Sequence, residues 1–166
     1  MALSTHNGDL RISGGLSCES FNPPAGWLED EHVAVGAAID AAKVNHRLHR
    51  SHTQDLGSAV AAKTVLIHTA EYAGSLAGVN IAITTHPTTT DTVVVDVKKS
   101  TGAGAFASVL SSAYTLNSSS ADRTVYNATI SSSAYVAGDI FQVAVTVTGT
   151  SGQGLIVDCI FEENGV

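Results

Sequence analysis

The chain has 166 residues, enough for one domain with an appendage, and a formal net charge of −7. That charge argues against nonspecific nucleic-acid binding, which needs Lys and Arg facing phosphates. Charged residues make up only 14% and aromatics only 5%, against roughly 25% charged in ordinary soluble domains. A surface this poor in charge relies on Ser, Thr, Asn and Gly for solubility, or is covered by other protein.

Residues 1–20 lack a basic stretch followed by a continuous apolar run, so no signal peptide is expected. No stretch approaches the ~20 apolar residues of a membrane-spanning helix, and no membrane partner is expected. Residues 7–21 alternate roughly, with Leu10, Ile12 and Leu16 apolar and Gly14-Gly15 breaking the run, which predicts a short strand or hairpin. Asn22-Pro23-Pro24 then forces an extended or turning path, because proline fixes its own φ and restricts its predecessor.

Residues 28–45 read two ways. With period 2, Val33, Val35, Ala37, Ile39 and Ala41 share a face; with helical spacing, Val35, Ala38, Ile39 and Ala42 form a narrow stripe. Acids at Glu29, Asp30 and Glu31 and bases at Lys43 and Arg47 favour a short helix around 35–45. Residues 46–62 read as a polar hinge with an Ala-rich approach. This places a domain boundary near 58: an extended arm over 1–57 and a β-domain over 58–166.

The remainder reads as strands. Runs at 64–69 (TVLIHT), 78–84, 92–99, 105–111, 124–131, 140–148 and 155–162 are cut by Gly, Ser, Thr and Asn turns. Val79, Ile81 and Ile83 share one face, as do Val93, Val95 and Val97. The segment 111–122 (SSAYTLNSSSAD) reads as a soft linker. About eight strands without intervening helices predict an all-β fold, an antiparallel, jelly-roll-like β-sandwich.

Candidate chemistry is sparse. His46, His49 and His52 form H-x-x-H-x-x-H, and imidazoles can complete an open metal site. The simpler reading is a hinge whose basic side chains meet a neighbour's carboxylates, and no metal or cofactor is assigned. His68, in an apolar strand, reads as a satisfied or interface histidine. Asp91, Asp96, Asp139 and Asp158 lie in or beside strands; a carboxylate pair would serve glycoside hydrolysis only at a suitable separation, and Asp139 reads as a turn residue. There is no G-x-S-x-G elbow and no phosphate-binding glycine loop, so no enzyme is expected. Trp27, Tyr72, Tyr114, Tyr126 and Tyr135 could stack on a sugar, although packing is the simpler role. Cys18 and Cys159 are expected to be free thiols. Asn117 and Asn127 match a glycosylation pattern that Ser/Thr-rich sequence produces by chance.

Three segments carry a resemblance. NGDLRISGGLSCESFNPPAG resembles the extended repeats of trimeric phage fibre and virion proteins, and LEDEHVAVGAAIDAAKVNH resembles an element of the same proteins, with Val44 where Leu is frequent. AGDIFQVAVTVTGTSGQGLIVDCIFEE resembles the last strands of jelly-roll domains in phage capsid decoration proteins and tail fibres. The resemblance implies a homotrimeric decoration (cement) protein on the outer surface of a virion, tied to the major capsid protein by its arm. Leu10, Ile12, Leu16, Phe21, Pro23, Pro24 and Trp27 are then the capsid-binding residues, and Val33, Val35, Ile39 and Val44 the trimer contacts. A tail-fibre or receptor-binding tip that binds host-surface glycan is the alternative.

Overall fold

The computed structural model describes Ser4–His6, Asp9–Arg11 and residues 45–164. The chain divides into two units, Met1–Ala38 and Ile39–Val166. In the first, β1 (Ser4–His6) pairs antiparallel with β2 (Asp9–Arg11), with Thr5 opposite Leu10. β2 falls within residues 7–21, where a short strand or hairpin is expected, and β1 precedes them; the rest of that stretch lies outside the described residues.

The second unit is an all-β sandwich of two antiparallel sheets. Its strands are β3 (Asn45–Thr53), β4 (Lys63–Thr69), β5 (Gly74–Thr85), β6 (Thr92–Ser100), β7 (Ala107–Ser108), β8 (Tyr114–Leu116), β9 (Tyr126–Asn127), β10 (Ala134–Tyr135), β11 (Ile140–Thr148) and β12 (Gln153–Asn164). One sheet runs β10-β5-β12-β3 with β9 also on β5; the other runs β4-β11-β6-β7 with β8 also on β6. First and last strands are neighbours and the chain repeatedly changes sheet, an order compatible with a jelly roll.

Alternation builds the core. Ile81 and Ile83 of β5, Val93, Val95 and Val97 of β6, Phe141 and Val143 of β11, and Val157, Cys159 and Phe161 of β12 are all buried between the sheets. In a strand every second side chain faces the same way, so these apolar positions fix the register. Burial pushes the free Cys159 thiol up to about 12, which leaves it an inert packing group.

Two bulges adjust the pattern. Ile160 pairs with Gly78 and Phe161 with Leu76, so Ala77 is extra and both Leu76 and Val79 turn inward. Phe141 pairs with His68 and Gln142 with Leu66, so Ile67 is extra. That shift puts His68 on the inner side, among the aromatics.

The structure corrects the hinge. Residues 45–53 form β3, paired with β12 from Asn45↔Asn164 to Thr53↔Ile156. The sandwich therefore begins upstream of residue 58. The linker reading of 111–122 is corrected as well, because Tyr114–Leu116 is β8 and Leu116 is fully buried. Asn45 opens β3; the helix expected around 35–45 otherwise lies outside the described residues.

The two long sides of the sandwich differ. On one, the segments after β7 and β9 join across the sheets: Leu110 bridges Ile130, and Ser131 N–H donates to the Val109 carbonyl at 2.9 Å. On the other, β3 and β4 are the edge strands of their sheets.

Candidate binding face

The outer face of the β3–β12–β5 sheet carries the most unusual surface. Register places Asp158 of β12 between Ser51 of β3 and Asn80 of β5. Directly opposed residues share a face, so their side chains meet. The Asp158 carboxylate accepts from Ser51 Oγ at 2.7 Å and lies 3.0 Å from His49 Nδ1. This Ser–Asp–His group is not a hydrolytic triad. Such a triad has histidine between serine and aspartate, whereas here Asp158 is central and no hydrogen bond joins Ser51 to His49 among the described residues.

Beside that polar group the face becomes apolar. Val125, Ile156 and Leu56 are 61%, 41% and 74% exposed. They line two adjoining hollows of about 400 and 520 Å³ that share Ala82 and Ile156. Arg123 also lines the larger hollow. It has φ 54°, and its N–H donates to the Ile83 carbonyl at 2.8 Å. Gly154, at φ +60°, permits the close approach of Leu56: a Cβ there would stand 2.9 Å from Leu56 Cα. The next loop is clasped by Asp122, which accepts from His86 N–H at 2.7 Å, and that bond holds its carboxyl below the usual range.

The three histidines of β3 do not converge. Positions 46, 49 and 52 alternate faces in a strand: His49 lies outside with Asp158, while His52 is buried on the inner side. No group of metal-ligating side chains occurs among the described residues.

The other sequence candidates hold structure together. Asp91 accepts from Ser151 Oγ at 2.7 Å and from Thr150 and Ser151 N–H at 3.1 Å. Asp96 accepts from Ser108 Oγ at 2.6 Å. Asp139 closes its turn by accepting from Val136 N–H at 3.1 Å, with Lys99 Nζ at 3.3 Å. Tyr135 is buried in the core, and Tyr114 and Tyr126 pack on each other at 5.6 Å. None of these tyrosines lines the hollows. Of the arm residues, Leu10 lies in β2. Ile12, Leu16, Phe21, Pro23, Pro24 and Trp27, and likewise Val33, Val35, Ile39 and Val44, lie outside the described residues.

A second polar group is internal. His68 Nε2 lies 3.0 Å from Glu163 Oε1, with both residues buried. Phe161 packs 4.2 Å from the imidazole, and Phe141 and Tyr135 complete an aromatic cluster around it. Desolvation lowers the His68 pKa, and Glu163 only partly offsets it. With the Glu163 carboxyl oxygen as acceptor, His68 Nε2–H donates across the core from β4 to β12. Of the two roles expected for His68, satisfied or interface, the structure shows the first, a buried histidine with its partner.

Sequence reasoning missed Leu56, Val125 and Ile156. One signal was available: in LIVDCIFE, alternation buries Leu155 and Val157 and leaves Ile156 facing out. No protein-family model matches the chain, and no curated protein matches it.

Proposed function

We propose that this chain is a structural virion protein: a homotrimeric jelly-roll module that decorates and stabilises a phage capsid, held by its N-terminal arm to neighbouring major capsid proteins. The observation that carries this reading is the apolar face of Leu56, Val125 and Ile156 on a rigid sheet. Monomeric surfaces seldom gather exposed apolar side chains in one place without a partner. Among the described residues no hydrogen bond on this face joins Ser51 to His49, both being held by Asp158, and we read its role as binding without chemistry.

The arm extends the contact. Leu10, Ile12, Leu16, Phe21, Pro23, Pro24 and Trp27 supply apolar anchors for the shell, and Val33, Val35, Ile39 and Val44 supply small side chains for close trimer contact. Ordering such an arm costs roughly 1–2 kcal/mol per residue of backbone entropy. Contacts repeated through a symmetric shell offset that cost by avidity.

The test uses capsids assembled without this protein. The full chain is expected to saturate them. Deleting residues 1–30, or placing a charge in the apolar face with Ile156→Asp, is expected to lower the affinity at least tenfold. Unchanged binding by both variants contradicts the reading.

A tail-fibre tip binding host-surface glycan is the second reading, favoured by the polar rim of Ser51, Asn80 and Asp158. Retention on a glycan array, with no binding to capsids, would select it.

A further inference from the structure

We infer that the free edge of β3 takes residues 28–35 of a second copy of this chain as an added strand. The inference rests on the homotrimer reading above and specifies what the trimer contact meets.

The acceptor is a long open edge. β3 has nine residues and, among the described residues, pairs with β12 alone. Alternate backbone N–H and C=O groups of such a strand point away from its partner and template a further strand. Proteins usually blunt an edge of this length. Here the other side of the sandwich is sealed by the Leu110–Ile130 bridge, whereas on the β3 side the described residues show a tie just past the end of the strand, where Gln54 exchanges hydrogen bonds with the Ala61 backbone, and no strand paired along the β3 edge.

The edge is also cationic in a chain of net charge −7. Arg50 is exposed, and its one hydrogen bond among the described residues goes to the His49 carbonyl at 3.3 Å. Lys63, exposed on the adjacent edge strand β4, has no carboxylate within ion-pair distance among the described residues. Arg47 reaches Glu162 only at 3.9 Å.

The complementary charge lies in the arm. Residues 12–42 hold five carboxylates and no Lys or Arg, with Glu29, Asp30 and Glu31 consecutive. In extended form, Glu29, Glu31, Val33 and Val35 share one face. Laid along β3, the two glutamates meet Arg50 and Lys63, and the two valines cover the half-buried Leu48. Pairing by main-chain hydrogen bonds, with side chains setting the register, is an established mode of strand addition. Opposite charges steer the encounter and suppress uncharged competitors.

Zero-length carbodiimide coupling of the full chain, assembled from mixed unlabelled and ¹⁵N-labelled protein, tests the contact. The expected product is an amide between Lys63 and Glu29 or Glu31 in mixed-isotope pairs. A link confined to same-isotope pairs would mean the segment folds onto its own β3, and would overturn the inference. A trimer with no such link would overturn it too and leave the homotrimer standing. Arg50→Glu is expected to weaken the trimer at least tenfold, with Glu29→Arg and Glu31→Arg on that background restoring it. An Arg50→Glu chain that stays folded and fully trimeric refutes the edge contact. A monomer from the unmodified chain removes the homotrimer reading and the contact together.

Discussion

Phe161→Ala is expected to be the most damaging single core change, costing about 3–5 kcal/mol. Phe161 is fully buried at the point where the two sheets are pinned together. Its ring lies 4.9 Å from Phe141, 5.9 Å from Tyr135 and 4.2 Å from His68. With only 5% aromatic residues in the chain, this cluster holds much of the core's bulk, and truncating Phe161 leaves the Phe141, Tyr135 and His68 rings facing a cavity. Domains of this kind are stable by about 5–15 kcal/mol, so the variant loses a large share of its margin. Urea unfolding followed by far-ultraviolet circular dichroism would read this as a lower midpoint at unchanged slope. A shift worth under about 1 kcal/mol would contradict the pinning role.

The second large effect concerns His68 and Glu163. Glu163→Leu leaves a buried imidazole N–H without its acceptor, which costs about 1–3 kcal/mol. The pair also predicts a pH dependence. Burial lowers the pKa of both His68 and His52 below the ordinary value of 6.5, and Lys63 adds to the lowering at His52. Below that value the unfolded chain binds protons that the folded chain refuses. Stability is therefore present above pH 6.5 and lost as pH falls towards the folded-state values. The urea midpoint is expected to be lower at pH 5 than at pH 7.5, with a smaller drop in His68→Gln. A midpoint that rises on acidification would contradict the assignment.

The sequence carried the central strands well because alternation and burial coincide there. In β5, β6, β11 and β12, apolar residues at every second position face the core, and 140–148 matched β11 to the residue. β3 was illegible for a physical reason. It is an edge strand whose inner-side positions are His46, Leu48, Arg50 and His52, so no apolar alternation marks it. Read as a hinge, its histidines suggested one cluster; as a strand, they separate onto two faces. β8 and β10 hold only three and two residues, too short for any periodic signal. The bulge at Ala77 was hidden as well, since Leu76 and Val79 sit three apart and look out of phase. The apolar face brings together Leu56, Val125 and Ile156 from three distant segments, and only the outward Ile156 hinted at it. Its polar neighbour Asp158 was noted in the sequence, but its meeting with His49 and Ser51 depends on a register that pairs residues more than a hundred apart.

Assembly is the claim on which the functional account stands, and mass in solution tests it most directly. Light scattering on the full chain is predicted to give about three times 17.0 kDa, falling to a folded monomer when residues 1–44 are removed, since the described core lies within 45–164. A full chain that runs as a monomer at all concentrations, or a truncated chain that keeps its trimer, would contradict the account.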